Sequence, residues 1–241
     1  MLKRVLKIVV IFLIGTVGGI FADQIFWPYF IERPLFFKYR LDQPPVYITE
    51  TKEIIVQENT ALTRAIEKTE RTIIGIRTKT KSGTVLEGSG VIVSSDGLAV
   101  TLASLVPQGA ETNLFWENSA SSFQILKRDF KENLALIKIE KKNLPTVSFA
   151  DFEKTKLGQR VFLAGLLPPA KSNEPFRKVV NEGIIRRFDE DFIRTNIFEK
   201  FIVQGSPLFD IEGNLLGINT LDSEARVISV PVSKIKSFTG F

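Results

Sequence analysis

The chain has 241 residues, 44% of them apolar and 24% charged, with 16 Gly and 11 Pro, a globular composition that excludes disordered and collagen-like chains. Its formal charge is +5, of which the first 31 residues carry +2 (Lys3, Arg4 and Lys7 against Asp23), and the rest is too weakly and diffusely basic to argue for nucleic acid as a partner. It has no cysteine and no histidine, which excludes disulfide frameworks, thiol catalysis, Cys/His zinc sites and any reaction whose general base is an imidazole of this chain.

Residues 1–31 open with that basic cap and run without a charge from Ile8 to Ala22. The run is shorter than the roughly 20 residues needed to cross a bilayer, but the stems of Arg4 and Lys7 extend it by snorkelling. Trp27 and Tyr29 follow where an interfacial aromatic belt would sit. The pattern predicts a transmembrane anchor in contact with the lipid bilayer, N-terminus cytoplasmic and the remainder outside the cytoplasm. A cleaved signal peptide is the competing reading. The cleavage contexts are poor, with bulky Ile20 three residues before the bond at Ala22, so the uncleaved anchor is preferred.

Residues 32–59, with Pro34, Pro44 and Pro45 among charged and aromatic residues, read as an extended stalk. Asn59 or Thr60 is placed to cap a helix over Ala61–Lys68 with Leu62, Ala65 and Ile66 on one face. The period then changes to two. Strands are predicted at Thr72–Thr78, Val91–Val93, Leu98–Leu102, Asn113–Trp116, Phe123–Leu126, Leu134–Ile139, Val161–Gly165, Val179–Ile185, Phe192–Thr195, Leu215–Asn219 and Val227–Val230. Turn signals such as Ser95-Asp-Gly and Glu212-Gly-Asn separate them, and a short helix closes the chain at Val232–Phe238. So many short strands argue for an all-β sandwich or barrels over residues 60–241.

Four ordered blocks in that region carry a resemblance. Gly88-Ser-Gly-Val-Ile-Val-Ser-Ser-Asp-Gly-Leu-Ala-Val-Thr-Leu-Ala-Ser-Leu-Val is similar to G-S-G-V-I-I-x-x-D-G-x-I-V-T-N-x-H-V-V. Glu132-Asn-Leu-Ala-Leu-Ile-Lys-Ile is similar to D-L-A-V-L-K-V, and Leu157-Gly-Gln-Arg-Val-Phe-Leu-Ala-Gly to V-G-x-x-V-x-A-I-G. Asp191-Phe-Ile-Arg-Thr-Asn, followed by Phe201-Ile-Val-Gln-Gly-Ser-Pro-Leu-Phe-Asp-Ile-Glu-Gly-Asn-Leu-Leu-Gly-Ile-Asn-Thr, is similar to D-x-I-x-T-D and P-G-N-S-G-G-P-L-x-x-x-x-G-x-x-I-G-I-N. The chain resembles the HtrA/Deg-type trypsin-like serine proteases, which implies a trypsin-like pair of six-stranded antiparallel β-barrels with a site between them. The resemblance stops short of a PDZ module.

It also implies a Ser-His-Asp relay, and the three positions hold other residues. The family's histidine falls on Ser104, whose hydroxyl is no base at neutral pH; its aspartate falls on Asn133, a neutral amide; its nucleophilic serine falls on Gln204, whose amide nitrogen is not nucleophilic. Ile202 and Val203 replace the residues of the oxyanion loop, and β-branched side chains disfavour the positive φ a glycine supplies there. The substitutions predict a degenerate member, a pseudoprotease that is not an enzyme, and a loop no longer held strained. Ser206, followed by Pro207, reads as a loop serine rather than a displaced nucleophile. No cofactor or metal motif is present, and Asp189-Glu-Asp191 reads as a turn.

The expected partner is a protein or extended peptide bound by strand addition along the substrate cleft. Active protease relatives, joined as a regulatory subunit, are a second expected partner; an active serine-type endopeptidase working by a non-standard mechanism is the second reading of function, and a purely structural envelope spacer the third. The resemblance implies self-association as a homo-oligomer through aromatics such as Phe30, Phe36 and Phe37, and Phe192, Phe198 and Phe201 are expected in the core or in a subunit contact rather than in a ligand box. Arg186-Arg187, Lys234 and Lys236 are expected on solvated faces.

Overall fold

The structure is a computed structural model that describes residues 2–32, 58–167, 175–201, 203–224 and 226–241. The chain separates into two compact units, Met1–Ile54 and Ile55–Phe241. In the first, helix α1 (Leu2–Phe21) continues as a wider helical coil over Ala22–Glu32, so that Lys3–Trp27 is one helical run of 25 residues with its side chains exposed. At about 1.5 Å per residue it reaches roughly 38 Å, longer than the ~30 Å hydrocarbon core of a bilayer. The apolar run read from the sequence is thus extended through Asp23. The predicted stalk with Pro34, Pro44 and Pro45, together with Phe36 and Phe37, lies outside the described residues, as does the side chain of Phe30.

The second unit begins with helix α2 (Glu58–Thr69), which starts before the predicted caps, so Asn59 and Thr60 sit inside its first turn. Strands follow as β1 (Ile73–Lys79), β2 (Val85–Ile92), β3 (Leu98–Leu102), β4 (Glu111–Trp116), β5 (Ser119–Ser121), β6 (Phe123–Asp129) and β7 (Leu134–Ile139). Then come β8 (Ser148–Phe149), β9 (Arg160–Leu167), β10 (Arg177–Phe188), β11 (Ile193–Thr195), β12 (Pro207–Asp210), β13 (Asn214–Leu221), β14 (Val227–Pro231) and helix α3 (Val232–Thr239). The first sheet has the order β5-β4-β1-β2-β3-β7-β6 and stays open as a half-barrel among the described residues. The second runs β12-β9-β10-β11-β14-β13, and the β12–β13 ladder closes it into a six-stranded barrel. Only β8, on β13, pairs in parallel among the described strands. The trypsin-like fold implied by the motifs is the one observed, with the second of the two expected six-stranded barrels closed and the first present as a seven-stranded half-barrel.

Strand β9 explains how the two halves cohere. It is apolar at nearly every position and buried along most of its length, because alternate side chains point to opposite faces and both faces are covered. Val161 and Leu163 enter the core of the second barrel with Ile185, Ile193, Leu208 and Leu216. Phe162, Ala164 and Leu166 enter the larger core shared with the first sheet, beside Ile74, Ile76, Val91 and Leu105. Strand β12 divides the same way, Leu208 to one core and Phe209 to the other. The Phe162 and Phe209 rings meet at 5.2 Å inside the shared core, and Phe115 and Phe176 pack across it at 4.7 Å. Helix α3 adds Ile235 and Phe238, three residues apart on one face.

Backbone and hydroxyl groups taken into that contact must find partners there, and Ser89 supplies several. Its N–H donates to the Gln204 carbonyl at 2.9 Å, its carbonyl accepts the Thr101 hydroxyl at 2.6 Å, and its own Oγ accepts the Leu166 N–H at 3.0 Å. Gly205 makes the approach possible. It adopts φ 73°, the left-handed region, and a Cβ there would strike the Ser89 carbonyl and stand 2.8 Å from Thr101 Oγ1 and 2.9 Å from Leu105 Cδ1. Gly205→Ala is therefore expected to cost about 2–4 kcal/mol of folding stability, read from urea unfolding of the full chain. A loss under 0.5 kcal/mol would mean that the contact yields easily.

Candidate functional site

Strand β3 ends in a single turn, Ala103–Leu105, that carries Ser104 exposed at the surface. Opposite it, the β6–β7 turn places Asn133 at φ 52°, a conformation Asn tolerates better than most residues. The two positions are brought together: Asn133 Oδ1 accepts the Ser104 N–H at 2.9 Å, and the Asn133 carbonyl accepts the Ala103 N–H at 3.1 Å. A short amide does two tasks here, holding the left-handed turn and satisfying the backbone of the neighbouring loop.

The same turn is braced from below by charge. Lys234, on the first turn of α3, reaches Glu132 at 2.6 Å and Asp191, in the β10–β11 turn, at 2.8 Å. Its hydrogen bonds to Asp191 and then Glu132 push the Lys234 ammonium above its ordinary range, and the same contact holds the Asp191 carboxyl below its own. Lys234 is therefore no solvated surface charge, as its sequence neighbourhood suggested. It ties together a loop of each β-sheet across 102 and 43 residues of chain, a separation that no local pattern could disclose. Asp189 forms the expected turn, its Oδ1 accepting the Asp191 and Phe192 N–H groups.

Gln204 is half-buried and makes no hydrogen bond to Ser104 or Asn133. Its carbonyl is fixed by Ser89, and its Oε1 accepts the Thr220 hydroxyl at 3.3 Å. The loop meets the Ser104 turn through Leu105, whose side chain fills the space beside both Gly88 and Gly205. Thr220 was missed in the sequence, although it follows directly on the Gly-Ile-Asn signature. Val203 is buried in the second core. Ile202 lies outside the described residues.

Ser206 is fully buried: its hydroxyl donates to the Val203 carbonyl at 2.8 Å and accepts from Asn219 Nδ2 at 3.1 Å, while Asn219 Oδ1 accepts the Ser229 hydroxyl. That satisfied hydroxyl is structural, as read. The expectation that the loop relaxes is corrected, because Gly205 keeps its positive φ and its N–H donates to the Asn219 carbonyl at 2.9 Å. Of the two placements expected for Phe198 and Phe201, the core is not the one observed. They are 74% and 77% exposed, on the loop leading to Gln204.

This geometry coincides with what the chain is similar to. The trypsin-like peptidase domain family matches residues 88–218, which take in all three positions. The chain belongs to that family, in its HtrA/Deg type. Serine protease HTRA1A of Danio rerio is 32% identical over 171 residues, 64% of this chain and 34% of the relative. A probable periplasmic serine endoprotease DegP-like of Pseudomonas putida is 33% identical over 142 residues, 55% of this chain and 28% of the relative. The chain thus spans about a third of the length of the curated relatives it matches. The solved structure of the HtrA-type protease AlgW with tripeptide superposes with a TM-score of 0.64 at 24% identity, over 74% of this chain and 62% of that one, which shows the fold.

The expectation that the chain is not an enzyme is corrected by these relatives, whose names are those of serine proteases, and by a matched domain that is a peptidase domain. Ser104, Asn133 and Gln204 describe one proton relay only. The Gly205 turn and the Ser104–Asn133 bond fix the loops that carry these positions.

Two outcomes follow from the local geometry. Asn133→Ala, which loses the acceptor and strains the turn, is expected to destabilise by about 1–3 kcal/mol, and Asn133→Gly by less because the strain is relieved; chemical unfolding of both ranks them, and the reverse order would sink the account. For Lys234 the pH window is two-sided. The raised lysine keeps its stabilising charge at neutral pH and loses it as pH climbs past about 10.4, while the lowered Asp191 loses its contribution as pH falls below about 4. The stability difference between the wild type and Lys234→Met should be level between those limits and shrink outside them in pH-resolved melts.

Proposed function

We propose that this is a membrane-anchored HtrA-type protein, its barrels outside the cytoplasm, that engages extended polypeptide by adding it as a strand to β13. The observation that carries the reading is the end of the β12–β13 ladder. Pairing stops at Pro207↔Ile218, whereas β13 continues against β14 to Leu221↔Val227. Asn219 spends its N–H and carbonyl on the Ser206 carbonyl and the Gly205 N–H, and the Asp222 N–H turns the other way, to the Arg226 carbonyl. By the alternation of an antiparallel strand, the N–H and carbonyl of Leu221 are directed to the open side, beside Gln204 and Thr220. A backbone edge ending at the family's site is what strand addition requires.

The apolar helix Lys3–Trp27 with Lys3, Arg4 and Lys7 at its start supports the anchor and its orientation. The relatives named periplasmic support the compartment. In this reading residues 1–31 are the anchor, 32–59 the stalk and 60–241 the binding domain.

Peptide-bond hydrolysis, the activity in the relatives' names, is the second reading, favoured by the retained Gly205 turn. With no histidine in the sequence, its proton acceptor is a group other than an imidazole of this chain.

Full-length protein in uncharged detergent should bind unstructured peptides saturably by fluorescence anisotropy. Leu221→Pro, which removes the edge N–H, should weaken binding by about tenfold. Binding insensitive to Leu221→Pro, or no saturable binding, would overturn the strand-addition reading, and mass spectrometry of the same mixtures reads cleavage. The chain has no cysteine, so a single Ser82→Cys tests orientation: a membrane-impermeant maleimide applied from outside should label it in intact cells stripped of any outer barrier, and labelling only after lysis would reverse the topology.

A further inference from the structure

Strands β10, β11 and β14 bring four arginines to one place. Arg187 and Arg194 are direct cross-strand partners, and like charges facing each other in a ladder destabilise it. Arg226 enters from the start of β14, which pairs with β11 through Arg194↔Ile228. With Arg186 and Thr195 these residues line a cavity of about 270 Å³.

The acids nearby do not balance them. Asp222 and Glu224 are taken up by Arg226, at 2.9 and 2.8 Å, and the other oxygen of Asp222 accepts the Glu224 and Arg226 N–H groups. Arg194 and Arg187 make loose ion pairs, with Asp222 at 3.6 Å and Asp189 at 3.7 Å, too long for hydrogen bonds. Arg194 Nε is buried with no partner, and among the described residues Arg186 makes no ion pair or hydrogen bond. The Phe192 ring lies against both opposed guanidiniums, 4.9 Å from Arg194 and 5.6 Å from Arg187, which restrains their planes. Thr195 Oγ1 accepts the Ile197 N–H at 3.2 Å, so its own proton is left to donate.

Guanidiniums held by loose ion pairs, with Arg186 unpaired among the described residues and Arg194 Nε unsatisfied, around a small cavity have the complement of a multivalent oxyanion. We propose that Arg186, Arg187, Arg194 and Thr195, with Arg226 at the rim, form a binding pocket for a phosphate group. Guanidinium forks match phosphate oxygens in pairs, and the dianion removes the repulsion between Arg187 and Arg194. The pocket is independent of polypeptide binding at β13.

The test is a titration of the full chain in uncharged detergent, followed by the arginine Nε–H resonances in two-dimensional NMR. Inorganic phosphate at constant ionic strength should shift Arg187 and Arg194 saturably, and chloride should not. Arg194→Gln should abolish the response. The exposed Arg186→Gln should weaken it about tenfold. Arg187→Gln should also weaken it, while raising the melting temperature in the absence of phosphate, because one of the two opposed charges is gone; a merely structural arginine would lower it. A second arm uses short-chain phosphatidylglycerol. Response to phosphate alone assigns a free phosphate or monoester, response to both shows that a phosphodiester headgroup is accepted as well, and response to the lipid alone would overturn the dianion reading. Identical shifts with chloride, no response to either phosphate, or a lower phosphate-free melting temperature for Arg187→Gln would overturn the proposal.

Discussion

The double burial of β9 is the constraint on which the rest of the second unit depends. A strand covered on both faces divides its side chains between two cores, Val161 and Leu163 to one, Phe162, Ala164 and Leu166 to the other, and thereby fuses two sheets that would otherwise be separate layers. The apolar contact it creates is tolerable only because its polar groups are answered, and Ser89 answers three of them with one residue. The loop carrying Gln204 is fixed by the same residue, so the position of the candidate site follows from how the halves are joined.

Around that junction the candidate site is held by backbone and amide contacts. Asn133 satisfies two N–H groups of the Ser104 turn. Lys234 ties the neighbouring Glu132 to Asp191 in the other sheet. These contacts fix the loops in space. Membership of the trypsin-like peptidase family rests on the whole matched stretch, 88–218.

Much of this frame was legible in the sequence, for physical reasons that also mark the limits. Strands such as Leu134–Ile139 and Leu98–Leu102 announce themselves by β-branched apolar runs bounded by turns. Strand β12 did not, since Pro207 opens it and it lies inside a motif read for chemistry; β5 and β8 are too short to show a period. The adjacency of Ser104 and Asn133 was carried by the family motifs. The roles of Ser89, Thr220 and Lys234 were hidden, because each depends on a partner brought near only by the closed fold. The core placement of Phe198 and Phe201 failed for the opposite reason: aromatic residues usually pack, and the surface loop bearing these two leaves them in solvent.

The division of β9 between two cores also sets an order of events during synthesis. The first sheet is complete in sequence at Ile139, yet the residues that cover its open face arrive only with Arg160–Leu167. At about 5–20 residues per second, the nascent chain spends roughly one to six seconds with a finished sheet and no lid. The emergence of β9 begins to cover the apolar face, and Phe209, Ile218, Ile235 and Phe238 complete the shared core only as the last third of the chain follows.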